Sequence, residues 1–77
     1  MKAFVVKFRC ANCGNVWVEE FEEGDRVFAN TFGVYLRSHK CTGRVTCKYC
    51  KYIKCPVCKV QEDVVIVERK PLVRRGR

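Results

Sequence analysis

A chain of 77 residues is at most one small domain, at the margin of what apolar burial alone can hold together. Seven cysteines are too many for ordinary usage and too odd a number for complete intrachain disulfide pairing. The formal charge is +8, and no apolar run approaches the roughly 18 residues of a membrane span, so a membrane partner is not expected.

The chain opens on AFVVKFR, residues 3–9, where Phe4, Val6 and Phe8 alternate on one face and predict a strand. Lys7 and Arg9 break this stretch too early for a secretory leader. It runs into CANCG, and NVWVEEF, residues 15–21, then predicts a second strand with Trp17 and Phe21 on one face. Strand, Cys-x-x-Cys-Gly, strand describes a hairpin whose turn is a metal knuckle. Gly14 supplies the positive φ that lets amides turn toward the sulfurs.

EEGD, residues 22–25, is a turn. Residues 27–40, VFANTFGVYLRSHK, are ambiguous. Phe28, Phe32, Leu36 and His39 share a helical face, but Asn30, Thr31 and Gly33 are poor helix formers. A strand pair turning near Asn30 is preferred to a short helix. CTGRVTCKYCKYIKCPVCK follows as a cysteine-rich loop. DVVIVERKPL, residues 63–72, is the strongest strand signal, ended by Pro71, and residues 73–77 form a basic tail. Residues 1–72 are expected to form a single domain, with a second site inserted at about 37–54.

Six of the seven cysteines lie in Cys-x-x-Cys pairs, the spacing that places two thiolates on one ion. This favours metal over a secreted disulfide knot and implies a reducing, cytoplasmic setting. Two pairs crowd into CKYCKYIKCPVC, residues 47–58. The four residues KYIK leave no room for one strand out and another in. The pairs are therefore expected to serve different ions, with KYIK as an extended bridge. CPVC precedes the last strand and CANC follows the first, so pairing of the terminal strands would set these knuckles side by side. Site one is then Cys10, Cys13, Cys55 and Cys58. The remaining donors are His39, Cys41, Cys47 and Cys50, which make site two. Two tetrahedral sites use all seven cysteines and the only histidine, so two zinc ions are expected. The rival is consecutive pairing, with Cys10, Cys13, His39 and Cys41 on one ion and Cys47, Cys50, Cys55 and Cys58 on the other. A solvent-exposed His39 with a three-ligand site is a further alternative. Iron is chemically possible at a four-thiolate site.

CANCG…CPVC, with a strand before the first knuckle and after the second, resembles the zinc-ribbon family over residues 3–21 and 55–70. The resemblance implies a small, metal-stabilised, mainly β fold: a zinc ribbon with terminal strands paired and an inserted cysteine-rich loop. Members serve in transcription, the ribosome and nucleic-acid modification, so the motif speaks for a structural zinc more than for one function. This chain departs from the family pattern in having Lys59, not Gly, after the second knuckle, and in its inserted segment.

Redox use of Cys-x-x-Cys wants a helix after the pair, and none is predicted. Catalytic zinc keeps an open position, which two closed four-ligand sites lack. A non-enzymatic role is therefore expected. Five of the eight acids fall in residues 19–25, while residues 36–59 hold seven basic side chains and no acid. Arg44, Lys48, Tyr49, Lys51, Tyr52 and Lys54 interleave phosphate-binding charge with rings able to stack on bases. Arg74, Arg75 and Arg77 would add backbone contacts. Nucleic acid, RNA before DNA, or a nucleoprotein complex is the expected partner. An adaptor using the acidic turn at 19–25 and the Val64, Val65, Val67 edge is the alternative. Seven bound thiolates and two zinc ions would lower the formal +8 to about +5.

Overall fold

The computed structural model describes residues 3–43 and 47–72. Six strands follow in chain order: β1 (Ala3–Cys10), β2 (Val16–Glu22), β3 (Arg26–Asn30), β4 (Gly33–Arg37), β5 (Lys51–Tyr52) and β6 (Val64–Leu72). No helix occurs among the described residues. They form two three-stranded antiparallel sheets, ordered β2-β1-β6 and β3-β4-β5. The fold is a small, mainly β domain with two cysteine-rich groups.

Both terminal strands lie together as expected, with Cys10 opposite Val64 and Ala3 opposite Leu72. Alternation in the sequence becomes alternation of faces. Trp17, Phe8 and Ile66 form one inward row, while Val16, Arg9 and Val65 form an outward row. Inward aromatics stack along the sheet: Phe8 lies 5.5 Å from Trp17 and 6.3 Å from Phe21, which is 5.5 Å from Phe4. The Trp17 indole donates to Glu19 Oε2 at 2.9 Å, so its polar edge is satisfied. Pro71 does not end β6, which continues to Leu72. β6 is an edge strand, where a residue without an N–H is tolerated.

Residues 26–37 resolve as the hairpin β3-β4, and Phe28 and Phe32 of the alternative helical face are exposed. The local cause is Asn30, whose side-chain carbonyl accepts the Phe32 amide at 2.8 Å and closes the turn. Val27, Val34 and Leu36 point the other way and are buried. KYIK does more than bridge. Tyr52 and Lys51 pair with Tyr35 and Leu36, and the Ile53 amide donates to the Val34 carbonyl at 2.8 Å. The inserted segment thus carries the third strand of a second sheet, which the sequence did not announce.

The core lies between the sheets. Val6, Phe8, Cys10, Phe21 and Val64 of the first meet Val27, Val34, Leu36 and Ile53 of the second, with Cys55 among them. Arg69 reaches across from β6, and its guanidinium donates to the Val27 carbonyl at 2.6 Å. Cys10 and Cys55 are fully buried members of this core, so the first cysteine group is part of the packing.

Candidate metal centres

The structure brings Cys10, Cys13, Cys55 and Cys58 together, with all four sulfurs within 4.8 Å of one another. Cys10 and Cys58 sulfurs lie 3.5 Å apart, as do those of Cys13 and Cys55. These gaps far exceed a disulfide bond of about 2.05 Å. They approach the edge of about 3.8 Å that sulfurs keep around a tetrahedral ion with bonds of about 2.3 Å. The donor set therefore fits a thiophilic ion such as zinc. The crossed arrangement holds because β1 and β6 are neighbours and carry their knuckles to the same end of the sheet.

The two knuckles share a pair of backbone bonds. Cys10 N–H donates to the Asn15 carbonyl at 2.8 Å, and Cys55 N–H to the Val60 carbonyl at 3.1 Å. Gly14 N–H returns to the Cys10 carbonyl at 2.7 Å, and Lys59 N–H to the Cys55 carbonyl at 2.9 Å. Amides of Val57 and Cys58 point at the Cys55 sulfur at 3.4 and 3.5 Å. The Asn12 side chain donates to the Cys58 sulfur at 3.6 Å. Sequence reasoning passed over Asn12, although its place inside CANC was the signal.

These donors favour thiolate. Burial raises the Cys55 pKa, but the amides of Cys58 and Val57 and the neighbouring thiols outweigh it and bring it down to about 6. The Cys58 thiol is lowered by the Asn12 side chain and the Val60 amide. At Cys13 the Asn15 amide lowers the pKa, yet burial and the Cys55, Cys10 and Cys58 sulfurs overcome it and push it up to about 12. The first thiolates to form hold back the last, and an ion would relieve that repulsion by displacing the remaining protons.

Cys41, Cys47 and Cys50 form a second group within the same 4.8 Å limit. Gly43 N–H donates to the Cys41 sulfur at 3.4 Å. The Cys47 thiol is lowered to about 7, chiefly by the Tyr49 amide and against burial. Burial and the Cys41 and Cys47 sulfurs raise that of Cys50, against the lowering effects of the Ser38 backbone and the Tyr35 hydroxyl. Tyr35 is a neighbour that the linear sequence does not show, because β4 and β5 must pair first.

His39, expected as the fourth ligand, is not in this group. Its Nδ1 lies 2.7 Å from Asp25 Oδ1 and its Nε2 3.3 Å from Glu22 Oε1. Its amide also donates to Asp25 at 2.9 Å. The β3-β4 hairpin explains the difference, since it returns residue 39 to the turn before β3, where carboxylates claim both ring nitrogens.

Of the candidate nucleic-acid residues, Lys48, Tyr49, Lys51 and Lys54 are exposed. Tyr49 lies beneath two ammonium groups, Lys48 at 5.3 Å and Lys40 at 6.0 Å from the ring centroid. Tyr52 instead packs edge-on against Tyr35 at 5.0 Å and receives the Asn30 side-chain amide at 3.2 Å on its hydroxyl. Arg44, Arg74, Arg75 and Arg77 lie outside the described residues. Charges separated in sequence meet in space, because Glu20 and Glu22 share a shallow depression with Lys40, Tyr49 and Lys51. Val64 is buried, while Val16, Val18, Val65 and Val67 are exposed. Among the described residues no helix is long and apolar enough to cross a membrane.

Comparison of the chain with protein families, with curated proteins and with solved structures gives no match. The class is therefore defined by the fold and the sulfur clusters: a small β domain with two cysteine groups able to hold metal, in keeping with a zinc-ribbon-like module.

Proposed function

We propose that this chain is a zinc-stabilised, zinc-ribbon-like module that binds nucleic acid, RNA or a nucleoprotein surface in preference to duplex DNA. In this reading it acts in the cytoplasm and is not an enzyme. Its metal would organise the fold, with Cys10, Cys13, Cys55 and Cys58 holding one ion and Cys41, Cys47 and Cys50 contributing to a second.

The observation that carries the reading is the exposed Tyr49 ring with the Lys40 and Lys48 ammonium groups over it, on the loop that bears the second cysteine group. A base stacking on the ring would displace the two lysines from it and leave them to meet the adjoining phosphates. Exposed Lys51 and Lys54 add basic groups, with Glu19, Glu20 and Glu22 beside Lys51.

A salt titration tests it, using single-stranded RNA, structured RNA and duplex DNA. Affinity should fall steeply with salt as phosphate contacts release counterions. Replacing Lys40, Lys48 and Lys51 with Ala should weaken binding and reduce the salt slope by up to about three. Equal, weak binding of wild type and variant to all three ligands at physiological salt would sink the reading.

A second reading, a protein-interaction adaptor, is favoured by one feature. Val16 and Val65 flank Arg9 on the outer face of the first sheet, with Val18 and Val67 beside them, and all four valines are exposed. The adaptor reading predicts that the lysine changes are silent and that Val18→Asp or Val65→Asp abolishes partner capture.

A further inference from the structure

Among the described residues the second cysteine group has three donors. The chain has seven cysteines and one histidine. Four cysteines belong to the first group, and His39 faces Asp25 and Glu22. Among the described residues no carboxylate joins Cys41, Cys47 and Cys50 within 4.8 Å, and residues 44–46 are Arg, Val and Thr. The Tyr35 hydroxyl is near Cys50, but a phenol does not replace a fourth thiolate. Three thiolates with one position left over is the ligand count of a centre that exchanges ligands, in contrast with a closed four-sulfur site.

The surroundings of Cys41 indicate the class of ligand. Cys41 lines a depression together with Gly24, Arg26, Arg37, Ser38 and His39. Arg26 and Arg37 lie directly opposite each other on β3 and β4. Like charges at such a pair destabilise a hairpin, and an anion between them offsets the repulsion. A soft ion on three sulfurs prefers a fourth sulfur.

We propose that Cys41, Cys47 and Cys50 form a three-thiolate metal centre with one exchangeable position, which takes an anionic thiol from outside the chain. This goes beyond the nucleic-acid reading and holds whichever macromolecule the protein meets.

The test is native mass spectrometry with visible absorption of the cobalt-loaded protein, kept free of oxygen, with mercaptoacetate as the probe. Wild type should carry two cobalt ions, gain one mercaptoacetate and shift its d–d bands. His39→Gln should behave the same, since the imidazole is not a ligand. Cys47→Ser should carry one ion and bind no mercaptoacetate. The proposal is overturned if wild type holds one ion, if the probe leaves mass and spectrum unchanged, or if it strips an ion without forming an adduct. It is equally overturned if His39→Gln loses the second ion, or if Cys47→Ser still takes up the probe.

Discussion

Gly14 and Lys59 hold the same place in two facing knuckles, each one residue past the second cysteine and each with a left-handed backbone, φ 79° and φ 66°. Each amide closes its turn on the carbonyl of the first cysteine. The geometry demands positive φ at both, and only one has the residue that adopts it freely. A side chain there costs about 1 kcal/mol. Lys59→Gly should therefore raise stability by about 0.5–1 kcal/mol, while Gly14→Lys should lower it by a similar amount. Chemical denaturation of the metal-loaded protein measures both. A destabilised Lys59→Gly would mean that the lysine side chain has a role of its own.

Gly33 begins β4 with φ 124°, and a Cβ placed there would collide with the Gln61 backbone carbonyl. The β3-β4 hairpin and the loop before β6 touch at this point. Gly33→Ala should cost about 2 kcal/mol or more, since neither backbone can yield cheaply. Gln61→Ala removes only the side-chain bond to the Phe32 carbonyl, 3.2 Å long and exposed, and should cost about 1 kcal/mol or less. Thermal unfolding of the pair separates backbone collision from side-chain loss.

The two cysteine groups differ in what they support. Cys10 and Cys55 are core residues, so Cys10→Ser should unfold the sheets and quench the native Trp17 emission. Cys47→Ser should disturb only the segment from about Ser38 to Cys50, because Lys51 to Ile53 are held by β4 and the core. Trp17 emission and amide exchange report the outcome. Global unfolding by Cys47→Ser together with a mild Cys10→Ser would reverse this order.

Asp25 gives a pH prediction. Burial raises its pKa, but the His39 amide and ring and the Glu22 amide outweigh this and hold it below its ordinary value of 3.8. A carboxylate depressed in the folded state contributes stability that is present above its unfolded pKa. That contribution is lost as pH falls through the folded value. Asp25→Asn should therefore weaken the protein at neutral pH and narrow the difference from wild type below about pH 4. Denaturation series at pH 7 and pH 3 compare the two, with metal content measured in each because thiolates also protonate in acid.

Tyr49 and Tyr52 look alike in the sequence and should behave differently. Tyr49→Ala should cost about 1–3 kcal/mol of RNA affinity while leaving stability and the salt slope nearly unchanged. Tyr52→Ala removes the contact with Tyr35 and the bond to Asn30, and should lower stability. A Tyr52 variant that keeps full stability but loses RNA binding would transfer the stacking role to that ring.

The sequence by itself determined what local pattern can encode. Alternation in AFVVKFR and the strong strand signal of DVVIVERKPL gave the terminal strands. Cys-x-x-Cys spacing gave the knuckles, and the shortness of KYIK separated two pairs that stand close in the chain. Asn30 marked the hairpin turn, with Thr31 and Gly33 arguing against a helix. Tertiary structure decided the rest. Tyr52 joins a second sheet only because β4 lies beside it, and so short a strand carries no periodicity of its own. His39 faces carboxylates because the hairpin returns it to the turn at Glu22 and Asp25, and a count of ligands contains no such direction. Lys59 shows the same division. Its residue type argues against a left-handed turn, but the two knuckles sit on adjacent strands and must present their sulfurs alike, so the paired geometry overrules it.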